Sequence, residues 1–180
     1  MGTVWVSKTT MVFGGKPDNL FHYLSLWIIY SMTIIAYSRK EGAMMSDSAV
    51  SDEEYLLTRP EPKIWVVGGW LVGAAKSSYP INVFLEWFRD NLEDEQLSES
   101  LEFMEDDFEA LVVDPDGEVY LYNMYLCPSS LGQVDYYATG SASKIAFPLL
   151  DLGHTLDEVI DQCCKWDTFC KSPSQRIEFD

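Results

Sequence analysis

The chain has 180 residues, 47% hydrophobic and 14% aromatic, which suits one domain with a substantial core and excludes a disordered polymer. Twelve Lys and Arg against 29 Asp and Glu give a formal net charge of −17 and a pI near 4.3, which argues against nucleic acid or an anionic membrane as partner, because neutralising phosphate takes clustered cations. Four cysteines without a Cys-x-x-Cys pair, and two distant histidines, His22 and His154, offer neither a zinc spacing nor a compact disulfide framework. No metal or cofactor is expected, and reduced thiols in a cytoplasmic protein are the default.

Residues 1–31 read unlike the rest. Lys8 and Lys16 precede an uncharged run of eighteen residues, Leu20 to Tyr37, a length that admits a membrane span. His22, Ser25, Ser31 and Thr33 interrupt its apolarity, and its last third is needed as a strand, so an extension or propeptide over 1–32 is expected rather than a membrane segment. Met32 can itself serve as a start, since methionine is removed before a small residue such as threonine.

Met32 to Tyr37 and Gly42 to Ser48 read as a β-hairpin about the charged turn Ser38-Arg39-Lys40-Glu41-Gly42. Ser51 to Pro62 is polar and carries Pro60 and Pro62, predicting a loop. Lys63 opens a strand that turns at Gly68-Gly69 into Trp70 to Ala75, a second hairpin, apolar on both faces and so expected to be covered on both. Ser77 or Ser78, with Pro80 in the first turn, starts a helix whose apolar face is Ile81, Phe84, Leu85, Phe88 and Leu92. An acidic helix is expected over about 95–104. Phe108 to Val113 and Glu118 to Asn123 flank the turn Asp114-Pro115-Asp116-Gly117. Tyr136 to Thr139 leads as a strand into Gly140-Ser141-Ala142-Ser143, which opens a helix interrupted by Pro148, with Ser141 as its expected N-cap. Thr155-Leu156-Asp157-Glu158 is a capping box for a helix with the face Leu156, Val159, Ile160 and Cys163. Arg176 to Phe179 closes as a last strand. Strands in two groups and helices in two pairs predict two facing sheets, each covered by helices.

A strand-turn-strand with threonine at its start and aspartate at its end, a lysine opening the next strand, and a late Gly-Ser-x-Ser at a helix start resemble the proteasome β-subunit family, with the bacterial HslV-type peptidase as the nearest flavour. The segments that carry the resemblance are Thr33-Ile34-Ile35-Ala36-Tyr37, Gly42 through Ser48, Lys63 through Ala75, and Tyr137 through Ala146. The stretch from Phe108 to Tyr120 is similar to the family's central hairpin. The resemblance covers residues 33–180 and implies an α+β fold, the four-layer αββα sandwich of the N-terminal nucleophile (Ntn) hydrolases.

It also implies a threonine peptidase. Thr33, freed at its α-amine, would be both nucleophile and base, because its hydroxyl attacks while the amine takes the proton. Lys63 would keep that amine deprotonated by its positive charge, and Asp47 would pair with Lys63 so that no uncompensated cation is buried. Ser141 would hydrogen-bond the α-amine region and Asp167 would orient Ser141. A backbone N–H near Gly68-Gly69 or Gly73 would receive the oxyanion. The implied partners are copies of the chain in a ring, a partner ATPase or unfoldase, and peptide or unfolded protein as substrate. The sequence departs from the family in its shorter Thr33-to-Asp47 spacing, in Met32 before the threonine where self-cleaving propeptides carry glycine, and in Cys170 where the family usually has serine. A non-catalytic Ntn-fold subunit with an assembly role is the alternative.

Overall fold

A computed structural model describes residues 33–52, 55–58, 62–76, 78–92 and 108–179. The expected extension over 1–32, with its apolar run up to Met32, and the expected acidic helix over 95–104 lie outside the described residues.

The predicted first hairpin is formed by β1 (Ile34–Ser38) and β2 (Ala43–Ser46), in the register Ile35 to Ser46 and Tyr37 to Met44. Gly42, at φ +59, closes its turn, with its N–H donated to Arg39 O at 3.1 Å. Every residue of both strands is buried, which requires cover on both faces. The edges are taken by β10 (Tyr136–Gly140), pairing β1, and β11 (Gln175–Glu178), pairing β2, all antiparallel in the order β10-β1-β2-β11.

The second sheet runs β5 (Ile64–Val67), β6 (Trp70–Lys76), β7 (Phe108–Val113), β8 (Val119–Asn123) and β9 (Ser129–Gly132), again antiparallel. β5 is an edge strand with Val66 48% exposed, so only β6 of the second hairpin is covered on both faces as expected. The β7–β8 turn matches its prediction: Asp114 Oδ1 accepts from Glu118 N at 2.8 Å and Gly117 adopts φ +80. β9 carries no sequence signal, because Ser129-Ser130-Leu131-Gly132 has almost no apolar content. The loop expected over residues 51–62 is not what forms. The chain instead forms a small separate hairpin there, β3 (Ala49–Asp52) with β4 (Tyr55–Thr58), where the β-prone Tyr55-Leu56-Leu57-Thr58 outweighs the polar surroundings.

Alternation along the strands sorts the core into three layers. Ile34, Ala36, Ala43 and Met45 point outward onto α2 (Ser143–Asp151) and α3 (Leu156–Trp166). Ile35, Tyr37 and Met44 point the other way, against Ile64, Leu71, Leu111 and Val113 of the second sheet. That sheet's far face (Val72, Ala74, Ala110, Val112) packs on α1 (Ser78–Asn91) through Ile81, Phe84, Leu85 and Phe88. The result is the expected four-layer αββα sandwich. Gly73 sits where the sheets touch: a Cβ there would lie 2.6 Å from Ile35 Cγ2 and 2.8 Å from Met44 Sδ.

Thr155 caps α3 in a complete capping box with Glu158. The expected Ser141 cap on α2 is not formed. Ala142 is the N-cap residue, with no side-chain cap bond, because the Ser141 side chain turns back toward β1. Pro148 lies inside α2, which forgoes one backbone bond and continues for less than one further turn.

Candidate active site

The antiparallel hairpin returns the end of β2 beside the start of β1, and this closure makes the site. Asp47, one residue past β2, donates its N–H to Ile34 O at 3.3 Å and turns a fully buried carboxylate toward Thr33. Its Oδ1 accepts from Thr33 Oγ1 at 2.6 Å, from Ile34 N at 3.1 Å and from Lys63 Nζ at 2.9 Å. Its Oδ2 accepts from Ala49 N at 2.9 Å and from Lys171 N at 3.2 Å. Lys63 also donates to Thr33 Oγ1 at 2.7 Å. Thr33, Asp47 and Lys63, from three separate strand ends, therefore form a closed triangle in which each side is a hydrogen bond.

Lys63 enters from the neighbouring sheet. Its main chain is fixed at the start of β5 by Ala74 N on its carbonyl at 2.9 Å and by its own N–H on Gln175 Oε1 at 3.0 Å. Burial pushes its ammonium below the ordinary lysine value, while the Asp47 carboxylate pushes it part of the way back up. Desolvation outweighs the adjacent carboxylate, so Lys63 is a buried cation and not a solvated surface charge.

Ser141 reaches the same threonine from the other side, with Oγ 3.4 Å from Thr33 O. Gly140 makes this approach possible: at φ +101, any Cβ there would stand 2.1 Å from Thr33 O. Asp167, expected to orient Ser141, ends α3 in extended conformation and sends its carboxylate to Phe169 N at 2.7 Å. Among the described residues no hydrogen bond joins it to Ser141. Of the glycines expected to supply an oxyanion donor, Gly68-Gly69 turn the chain at the end of β5 away from Lys63, where Gly68 abuts Leu92. Gly73 is occupied in packing the sheets.

Four contributors escape a reading of side-chain types: Gly140, Ser48, Lys171 and Gln175. Gly140 adjoins the predicted Ser141 and was readable as a close approach. Lys171 acts through its main chain, which leaves no mark in the sequence. The buried thiols Cys163 and Cys170 are pushed up, Cys163 to about 12, chiefly by desolvation, so neither is an ionised nucleophile at neutral pH. Among the described residues, no group of three or more His, Cys, Asp or Glu side chains is placed to hold a metal ion, and no helix is long and apolar enough to cross a membrane.

A four-layer sandwich with a threonine, aspartate and lysine at the mouth of its first sheet has the fold of the Ntn hydrolases of the HslV and proteasome β type. Solved structures carry the same likeness. Eukaryotic HslV from Trypanosoma brucei superposes with a TM-score of 0.62 at 13% identity, over 80% of this chain and 97% of that one. BPH from Thiobacillus denitrificans, solved in complex with epoxomicin, gives 0.58 at 14% identity, over 82% and 99% of the two chains. A second structure of the same BPH gives 0.56 at 14% identity, over 82% and 98% of the two chains. No family model matches the chain, and no curated protein matches it in sequence.

Proposed function

We propose that this chain is the precursor of an N-terminal threonine peptidase, which assembles with its own copies into a ring in the cytoplasm and hydrolyses peptides or unfolded protein fed by a partner ATPase. The observation that carries this reading is the triangle of 2.6, 2.7 and 2.9 Å joining Thr33 Oγ1, Asp47 Oδ1 and Lys63 Nζ. A threonine that only fills a strand needs neither a buried lysine nor a buried carboxylate on its hydroxyl.

Removal of residues 1–32 turns the Thr33 nitrogen from a peptide N–H into an α-amine, ordinarily of pKa about 7.7–8.0. The Lys63 charge nearby favours the amine's neutral form. Thr33 Oγ1 attacks the substrate carbonyl carbon, and its proton passes to the α-amine and then to the departing substrate nitrogen. The C–N bond breaks, leaving an ester on Oγ1. Water hydrolyses that ester and restores the threonine. Asp47 holds Lys63 in place throughout.

Thr33→Ala is expected to fold and assemble as the wild type does while losing peptide hydrolysis. Epoxomicin, which the Thiobacillus denitrificans BPH binds, is the active-site probe: a mass increase of one inhibitor on the Thr33 peptide, absent from Thr33→Ala, supports the assignment. Equal hydrolysis by the two proteins would defeat it. The second reading, a non-catalytic subunit used in assembly, draws on Thr33 being only 2% exposed in the uncleaved chain. A ring of full-length chains with no hydrolysis and no adduct would decide for it.

A further inference from the structure

The triangle leaves one side of Asp47 unexplained. Oδ1 serves Thr33, Ile34 and Lys63, but Oδ2 is held by Ala49 N and by Lys171 N, a main-chain group 124 residues away. Lys171 belongs to the segment 167–174 that joins α3 to β11. Asp167 builds the start of that segment: its Oδ1 accepts Phe169 N at 2.7 Å and its carbonyl accepts Cys170 N at 3.3 Å. Lys171 then meets the site through both of its main-chain polar groups. Lys171 N donates to Asp47 Oδ2, while Lys171 O accepts from Ser48 N at 2.9 Å and Ser48 Oγ at 3.2 Å. Ser48 is 2% exposed, so its hydroxyl has no ready exchange with solvent.

We infer that Ser48 is a positioning residue for the threonine chemistry, its hydroxyl joining its own main-chain N–H on the Lys171 carbonyl so that residue 171 is held in place and its N–H pins Asp47 Oδ2, keeping Oδ1 aimed at Thr33 and Lys63. Two donors hold Oδ2, Ala49 N beside it in the chain and Lys171 N from the 167–174 segment. Loosening Lys171 leaves Ala49 N as the remaining strong donor on Oδ2, which widens the carboxylate's swing about its Cβ–Cγ bond. Ser48 touches neither the hydroxyl of Thr33 nor any reacting atom, and acts through Lys171 and Asp47. The inference rests on the threonine-peptidase reading.

The charged and titratable groups facing Lys63 are Asp47 from the end of β2, Cys164 from α3 and Cys170 from the 167–174 segment. Of these, Asp47 is the principal group that raises the lysine's proton affinity against desolvation. If Asp47 swings away, burial acts with less opposition and the Lys63 titration midpoint moves to lower pH.

The test is the titration of the Lys63 side chain, followed by carbon NMR in the full-length chain labelled at lysine, in wild type, Ser48→Ala and Ser48→Thr. Ser48→Ala is expected to lower the midpoint by about half a unit to one unit, with Ser48→Thr returning it toward wild type. In the processed protein the alkaline limb of kcat shifts the same way, and kcat falls several-fold with KM unchanged. A folded Ser48→Ala with the wild-type Lys63 midpoint would overturn the inference, since a merely structural serine changes stability and not that titration. Should Ser48→Ala fail to fold, Ser48→Cys, a weaker donor of similar size, is expected to shift the midpoint in the same direction, and an unmoved midpoint there is equally adverse. Absence of hydrolysis in the wild type would count against the peptidase reading alone, because the Lys63 titration is read without turnover.

Discussion

Asp47 is the residue on which the site converges: a fully buried carboxylate receiving five hydrogen bonds, three on Oδ1 and two on Oδ2. That count predicts how its neighbours fail. Lys63→Ala removes the cation and leaves the buried Asp47 carboxylate with four donors but without this counter-charge, so the cost in stability is expected at about 3–5 kcal/mol, while activity is lost almost entirely. Urea unfolding beside a peptidase assay separates the two. The pH dependence has a definite sign. Burial holds Lys63 below its ordinary value, so between that lowered value and the unfolded lysine value the unfolded chain binds more protons than the folded one. Stability contributed at Lys63 therefore rises with pH across that window, and is at its least below it, where both states are protonated. The urea midpoint of wild type relative to Lys63→Met should climb as pH is raised toward 10, and a flat difference would mean that Lys63 is not desolvated. Thr33, Asp47 and Lys63 were legible from sequence because each lies at a strand end marked by its own hairpin pattern, and the resemblance attached roles to them. Asp167 was read by position alone, and its local bond to Phe169 N shows why position was insufficient: a helix-terminal carboxylate is drawn first to the exposed N–H groups of its own turn.

Among the elements, β10 and α3 do most to locate the site. Gly140 lets β10 lie against Thr33, and Gly140→Ala combines a left-handed φ with a 2.1 Å clash on a backbone oxygen. It is expected to destabilise by more than about 2 kcal/mol and to abolish activity, measured by denaturation and hydrolysis together; a wild-type midpoint would mean that β10 can withdraw without consequence. Thr155→Ala removes one half of the capping box and should cost about 1 kcal/mol with activity retained, because α3 is anchored independently by Leu156, Val159, Ile160 and Cys163 in the outer core. The three described helices and the strands with strong alternation are readable from sequence. β9 could not, since Ser129-Ser130-Leu131-Gly132 joins the sheet by backbone pairing to β8 rather than by an apolar face. The 51–62 loop was misread for a related reason: a local pair of short strands outside the two main sheets leaves no long-range pattern.

At the scale of the whole molecule, the sandwich explains why the same chain can be either a precursor or an inert subunit. Among the described residues, what separates the two fates is the Thr33 nitrogen, a peptide N–H in one and a free amine in the other. The strong negative charge favours keeping such chains soluble and leaves the local cation Lys63 conspicuous beside Thr33. Threonine-peptidase chemistry requires that Thr33 become the first residue of the working protein. The most direct measurement is the intact mass and N-terminal sequence of the assembled protein from its native host: the account predicts a chain that begins at Thr33, and an assembled chain that still carries residues ahead of Thr33 would contradict it.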